Sequence, residues 1–277
     1  MTSVDINQSG SSYDESNDRW WIGQCKDYRS SILQVSHDNG MGTGWIAAAT
    51  ETEFVVVTAN HVVTCGSCDK PEDNIVLSMD APIPWQLSLN PTKNRIVRWR
   101  DMDVACIRVT APPPGPALPL LLSPFSGDDP GAIDIAVPPL GLPVGWIGFS
   151  ETAYAMFQKP TVTFCQGKIS AVGVEPRDPS AEAPPNGFEQ FDKHVFLLDG
   201  NINCGMSGGP VWGADGHIMG IVTAFIQTSG TLHGVIVPLA YILAALKTVN
   251  VIWEVPNGRE PSAPTPMTFE EDPDEQE

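Results

Sequence analysis

The chain has 277 residues, with 15 Lys and Arg against 33 Asp and Glu and a formal net charge of -18. A surface of that sign repels phosphate backbones and anionic headgroups, which excludes nucleic acid and anionic membranes as partners. Apolar residues make up 42%, and 25 Gly and 26 Pro are spread along the chain, a balance that favours a core built from short strands and many turns over long helices.

Taken in order, residues 1–18 are rich in Ser, Asn and Asp and read as a disordered leader. They lack the basic region and apolar core of a secretion signal, and no run of about 18 apolar residues follows anywhere, so the expectation is a cytoplasmic protein with no membrane insertion. In that compartment the six cysteines should be reduced. Cys65 and Cys68 form one C-x-x-C without a second ligand pair, so neither a metal nor a cofactor is expected. Strand signals fall at Ser31–Ser36, Gly42–Ala49, Phe54–Ala59, Asn74–Met79, Trp85–Leu89, Arg95–Trp99 and Asp103–Val109. Without helical periodicity, these predict a small barrel over 19–110. The Pro-rich run after Ala111 opens a linker over 111–130. The pattern then repeats over 131–249, with strands at Ala132–Val137, Val144–Phe149, Thr161–Val174, His194–Leu198, Gly209–Trp212, His217–Phe225 and Leu232–Val237. Residues 175–193 form a long polar loop, of a length usually reserved for function. Pro238–Val249 reads as the one helix, its proline suited to the first turn. The acidic stretch 254–277 reads as a disordered tail.

Gly205-Met206-Ser207-Gly208-Gly209 is either a Gly-rich turn between strands or a site that presents a serine hydroxyl as nucleophile. In the second case the amides of Gly205 and Ser207, with Met206 between them, could face the oxygen of an acyl intermediate. The turn also satisfies G-x-S-x-G, so an α/β-hydrolase elbow is an alternative. A nucleophilic serine needs a base, and the base needs an orienting carboxylate. Of the five histidines, His37 and His217 lie in turn signals and read as solvated, and His194 and His233 read as structural at strand starts. His61 follows a buried apolar strand and so is held by rigid scaffold. Asp103, at the start of an apolar strand, is the best carboxylate, and Asp101 competes because strand alternation would put it on the same side. The order His61, Asp103, Ser207 excludes the α/β-hydrolase, in which the carboxylate and histidine follow the serine.

Six segments in this order resemble one family: Gly42-Thr43-Gly44, Thr58-Ala59-Asn60-His61-Val62-Val63, Asp103-Val104-Ala105, Asp199-Gly200-Asn201-Ile202-Asn203, Gly205-Met206-Ser207-Gly208-Gly209-Pro210 and His233-Gly234-Val235-Ile236-Val237-Pro238. The chain is similar to trypsin-like, chymotrypsin-fold serine proteases, and most to their HtrA/Deg branch, over roughly 31–249. The resemblance implies an all-β protein of two six-stranded antiparallel β-barrels, with the active site in the cleft between them and a C-terminal helix. It implies an endopeptidase acting on a protein or peptide substrate through a His61, Asp103 and Ser207 triad, with an oxyanion hole from Gly205, Met206 and Ser207. It assigns substrate binding to Asn201 and Ile202, at the specificity pocket, and to Thr223, Ala224 and Phe225, on the strand that pairs with substrate. Asn201 carries no charge, so small or apolar residues before the cleaved bond are expected. Homo-oligomers are common in that branch. The stretch after Trp253 does not read as a PDZ domain. Met206 replaces the aspartate that answers a cleaved N-terminus in digestive proteases, so no such activation is expected. The alternative is a catalytically silent protease-like module that binds or scaffolds.

Overall fold

The computed structural model describes residues 23, 25–64, 74–79, 84–90, 93–118, 138–172, 195–200, 202–213, 216–228, 231–249, 251–252 and 268–269. The strand expected at Ala132–Val137, the loop 175–193, Asn201, His194 and the cysteines of the C-x-x-C lie outside these residues.

The runs of Val, Ile and Ala form strands because β-branched side chains pack well on a pleated surface. In the first half they are β1 (Ile32–His37), β2 (Gly40–Ala49), β3 (Phe54–Ala59), β4 (Val76–Met79), β5 (Trp85–Ser88), β6 (Arg95–Trp99) and β7 (Val104–Val109). They form an antiparallel seven-stranded sheet in the order β5-β4-β1-β2-β3-β7-β6. Consecutive strands β5 and β6 lie at opposite edges of this sheet, yet only residues 89–94 join them. So short a connection spans at most about 20 Å, so the sheet curls into a half-barrel. The second half supplies β8 (Pro143–Phe149), β9 (Val162–Val172), β10 (Phe196–Asp199), β11 (Pro210–Gly213), β12 (Ile218–Thr228) and β13 (Thr231–Pro238). These close a six-stranded barrel in the order β10-β13-β12-β11-β8-β9. The fold is therefore the all-β, chymotrypsin-like one that the resemblance implies. Its first unit has seven strands and two edges where six strands and closure were expected, because β5 and β6 pair with β4 and β7 and not with each other.

Strand alternation divides the apolar residues among three cores. Phe54 and Val56 of β3 join Ala105 and Ile107 of β7 inside the first sheet. Val144 and Trp146 of β8 join Val211, Val222 and Ile236 inside the barrel. The opposite faces meet each other: Val55, Val57, Val104 and Cys106 pack with Ile147, Phe149, Trp212, Ile221 and Val237 in a third core between the units. β3 is buried at every position because both of its faces are covered. The C-terminal helix α2 (Leu239–Lys247) begins after Pro238 and adds Leu239, Tyr241, Ile242 and Leu246 to the third core.

A second helix was not foreseen. α1 (Glu151–Phe157) is capped by the Ser150 side chain, which accepts from the Ala153 amide, and is closed by Gln158 in the left-handed region. It buries none of its residues, so no apolar periodicity marks it in the sequence. At the far end, Val251–Ile252 pairs with Thr268–Phe269, inside the stretch expected to lack structure.

Candidate active site

β3 delivers its last residue, Ala59, into a short 3-10 turn over Asn60–Val63 that carries His61. The facing turn, Arg100–Met102, ends at Asp103, whose φ of 50° and ψ of 42° are left-handed. Aspartate tolerates this region better than most residues, and the neighbours hold it there. The Asn60 amide donates to the Asp103 carbonyl at 3.1 Å. The carboxylate then faces the histidine twice. Asp103 Oδ1 accepts the His61 amide at 2.9 Å, and Asp103 Oδ2 lies 2.8 Å from His61 Nδ1. A carboxylate only accepts, so Nδ1 is the donor and the lone pair of the neutral ring sits on Nε2. Crowding around the ring disfavours its charged form, but the charge and hydrogen bond of Asp103 outweigh this and hold the His61 pKa above its ordinary value. Half of the His61 side-chain surface stays open to solvent. Asp101 is exposed within the 3-10 turn and makes no such contact, since strand alternation does not apply there.

The serine comes from the barrel. Asn203–Met206 is a turn closed by the Met206 amide, which donates to the Asn203 carbonyl at 3.2 Å. Gly205, third in the turn, has φ +89°, which calls for glycine, and a Cβ there would lie 2.5 Å from the Phe149 carbonyl oxygen. The turn fixes its peptide planes by their carbonyls. The Cys204 carbonyl accepts from the Glu151 amide at 2.9 Å, and the Met206 carbonyl from the Gly209 amide at 2.9 Å. In a trans peptide the N–H points opposite to the C=O, so these two bonds aim the N–H groups of Gly205 and Ser207. Among the described residues neither amide has a hydrogen-bond partner. Met206 departs from expectation: its amide is committed to Asn203 and its side chain is wholly buried in the barrel core. The Ser207 hydroxyl donates to the Thr223 carbonyl at 3.1 Å rather than to His61.

Of the other expected site residues, Ile202, Thr223, Ala224 and Phe225 are described. The Thr223 hydroxyl donates to Asp103 Oδ2, a second role that its place on a strand does not announce. Ala224 and Phe225 pair with Val235 and Gly234 of β13. On the opposite side, β11 reaches only to Ile221, so from Thr223 onward this edge of β12 has no strand neighbour among the described residues. Phe225 is exposed. Ile202 is buried over Gly234, where any side chain would overlap its Cδ1. His217 is buried, not solvated: Tyr28, from the helical stretch 25–29, covers its hairpin, with its ring 4.9 Å from that of Trp212 and its hydroxyl on the Gly216 carbonyl. No group of three or more His, Cys, Asp or Glu side chains able to hold a metal ion occurs among the described residues. None of their helices is long and apolar enough to cross a membrane.

Residues 42–221 match the family described as trypsin-like peptidase domain, a span that contains His61, Asp103 and the turn of Ser207. The chain belongs to the trypsin-like peptidases. As a trypsin-like peptidase it is a serine peptidase, a hydrolase whose substrates are peptides or proteins. No curated protein sequence matches it. Solved structures share the trypsin-like peptidase fold at low identity. The Rv3671c protease of M. tuberculosis in its active form is 17% identical with a TM-score of 0.57, over 84% of this chain and 86% of that one. Its inactive form gives 17% and 0.55, over 81% and 91%. The HtrA-type protease AlgW with tripeptide is 19% identical with a TM-score of 0.57, and the match covers 83% of this chain and 63% of AlgW.

Proposed function

We propose that the chain is an endopeptidase that cleaves through a His61, Asp103 and Ser207 triad and an acyl-enzyme. The observation that carries this reading is the double grip of Asp103 on His61, with Thr223 bridging Asp103 to Ser207 and the Gly205 and Ser207 amides left without a hydrogen-bond partner among the described residues. Rotation about the Ser207 Cα–Cβ bond takes its hydroxyl from the Thr223 carbonyl to His61 Nε2. Ser207 Oγ then attacks the scissile carbonyl carbon while Nε2 takes its proton. The carbonyl oxygen becomes an oxyanion bound by the Gly205 and Ser207 amides, and Asp103 stabilises the imidazolium. Collapse breaks the C–N bond, and the imidazolium proton passes to the leaving amine. Water, deprotonated by the same nitrogen, hydrolyses the ester and returns Ser207.

Substrate lies along the open edge of β12 at Thr223, Ala224 and Phe225, adding a strand by main-chain hydrogen bonds. Ile202, buried over Gly234, shortens the specificity pocket, and a neutral Asn201 offers no counter-charge, so small apolar residues are preferred before the cleaved bond. The silent-module reading draws on one observation, the Ser207 hydroxyl resting on Thr223. A fluorophosphonate probe separates the two. Labelling of the wild type that disappears in Ser207→Ala supports the enzyme; an unlabelled wild type, with and without added peptide, leaves the binding module.

A further inference from the structure

Thr43 is wholly buried at the point where β2, β8 and the nucleophile turn meet, and each of its polar groups is engaged. Its amide donates to the Ser207 carbonyl at 2.8 Å, and its carbonyl accepts the Thr58 hydroxyl at 2.7 Å. Its own hydroxyl accepts the Phe149 amide at 2.9 Å and donates to the Gly205 carbonyl at 2.7 Å. The last bond matters for the chemistry. The Gly205 carbonyl and the Met206 amide belong to one peptide plane, which is thus held at both ends, by Thr43 and by Asn203. That plane lies between the two peptides that carry the free amides of Gly205 and Ser207. Gly205 populates both signs of φ readily, so the turn could otherwise rotate and scatter those amides.

We propose that the Thr43 hydroxyl is a positioning residue for the oxyanion hole: it locks the Gly205–Met206 peptide from the opposite unit and so keeps the two flanking amides aimed together. The neighbouring backbone makes room for it. A Cβ at Gly148 would approach Thr43 Oγ1 to 2.7 Å, and one at Gly208 would run into the Thr43 carbonyl oxygen. Thr43 touches no reacting atom. Its effect passes through the turn, and it ties the stability of the hole to the seam between the two units, because the donor comes from one and the amides from the other. Valine has the same shape without the hydroxyl and would leave the buried Phe149 amide and the Gly205 carbonyl without that partner.

The inference rests on the peptidase reading, and its test keeps the two apart. Phosphonylation by a fluorophosphonate forms the Ser207 Oγ–P bond, expels fluoride and develops charge on the phosphoryl oxygen, so its rate reports the hole. Thr43→Val should be labelled about 10 to 100 times more slowly, a fraction of the loss seen on deleting a donor outright. The pH midpoint of labelling, set by His61 and Asp103, should not move, and Thr43→Ser should recover to within about threefold. Tyr28→Phe, which removes another buried hydrogen bond, the one to the Gly216 carbonyl between β11 and β12, should change the rate less than about twofold. A wild-type rate in Thr43→Val, or a Thr43→Ser as slow as the valine variant, overturns the inference. If the valine variant does not fold, Thr43→Cys replaces it: a slow cysteine beside a fast serine supports the hydroxyl's role, and equal rates overturn it. If the wild type itself is not labelled, the peptidase reading fails and the oxyanion role falls with it, and exchange at the Met206 amide then decides whether Thr43 locks the turn: at least tenfold faster exchange in Thr43→Val shows the lock, and unchanged exchange overturns that as well.

Discussion

At the scale of single residues the proposed chemistry turns on Asp103. Its side chain accepts from the ring of His61, from the amide of His61 and from the Thr223 hydroxyl, so the ring has one orientation and one tautomer. Asp103→Asn presents the wrong hydrogen-bonding partner to Nδ1. Turnover of a peptide substrate should fall by about 10⁴, with the labelling rate falling alongside it. The acid limb of the wild-type pH–rate profile should lie above the ordinary histidine value, since a general base works only when neutral, and it should move down in Asp103→Asn. The same pair bears on stability with a definite sign. A histidine whose pKa is raised on folding contributes stability that is fully present below its unfolded value and is lost as pH rises through its folded value. The melting temperature of the wild type should therefore exceed that of Asp103→Asn most near pH 5.5, and the gap should narrow by pH 9. Gly205→Ala belongs at this scale too. Its positive φ and the nearby Phe149 carbonyl should cost about 1–3 kcal/mol in chemical denaturation and suppress labelling of Ser207.

At the scale of elements, the nucleophile turn is held from outside. α1 supplies one of its anchors through the Glu151 amide, which aims the Gly205 N–H by holding the Cys204 carbonyl. Glu151 is the first residue of α1, and Ser150 before it is already extended, so proline fits there without breaking the helix. Glu151→Pro should leave the circular dichroism nearly unchanged and slow fluorophosphonate labelling, because the anchoring N–H is lost and the proline ring displaces the Cys204 carbonyl that it held. A labelling rate equal to wild type would show that α1 does not steer the turn. The seven residues of α1 bury no apolar stripe, which is why it could not be read in the sequence, whereas α2, with six buried residues, could. The same reason explains Asp101. Its exclusion follows from a 3-10 turn and a left-handed Asp103, neither of which has a two-residue alternation.

At the scale of the molecule, the site sits on the seam between a half-barrel and a closed barrel, and an apolar core fills that seam. Ile242 of α2 is wholly buried there, with Val104 and Cys106 of β7 in the same core. Ile242→Ala should cost about 2–5 kcal/mol of unfolding free energy, where Phe157→Ala on exposed α1 should change it by less than about 0.5 kcal/mol. Urea titrations of both variants check this. Loss of Ser207 labelling should coincide with the Ile242→Ala unfolding transition, because His61 and Ser207 come from opposite sides of the same core.

The sequence by itself determined the strands found among the described residues, the two-unit organisation of the all-β fold and the identity of His61, Asp103 and Ser207 as candidates. Alternating apolar residues and glycine punctuation act over a few positions, and the order of the three candidate residues survives any folding. Tertiary structure alone decided what these residues do to one another. The choice of Asp103 over Asp101, the hold of Tyr28 on the hairpin of the buried His217, the second role of Thr223 and the commitment of the Met206 amide all depend on partners from 3 to 188 positions away in the chain, and for most of them the partner lies in another element. Thr43 is the sharpest case. A threonine between two glycines reads as strand, and only the packing of one unit against the other brings its hydroxyl to a carbonyl 162 residues away. Hydrogen bonds across a seam follow from three-dimensional registry, which no local pattern of residues encodes.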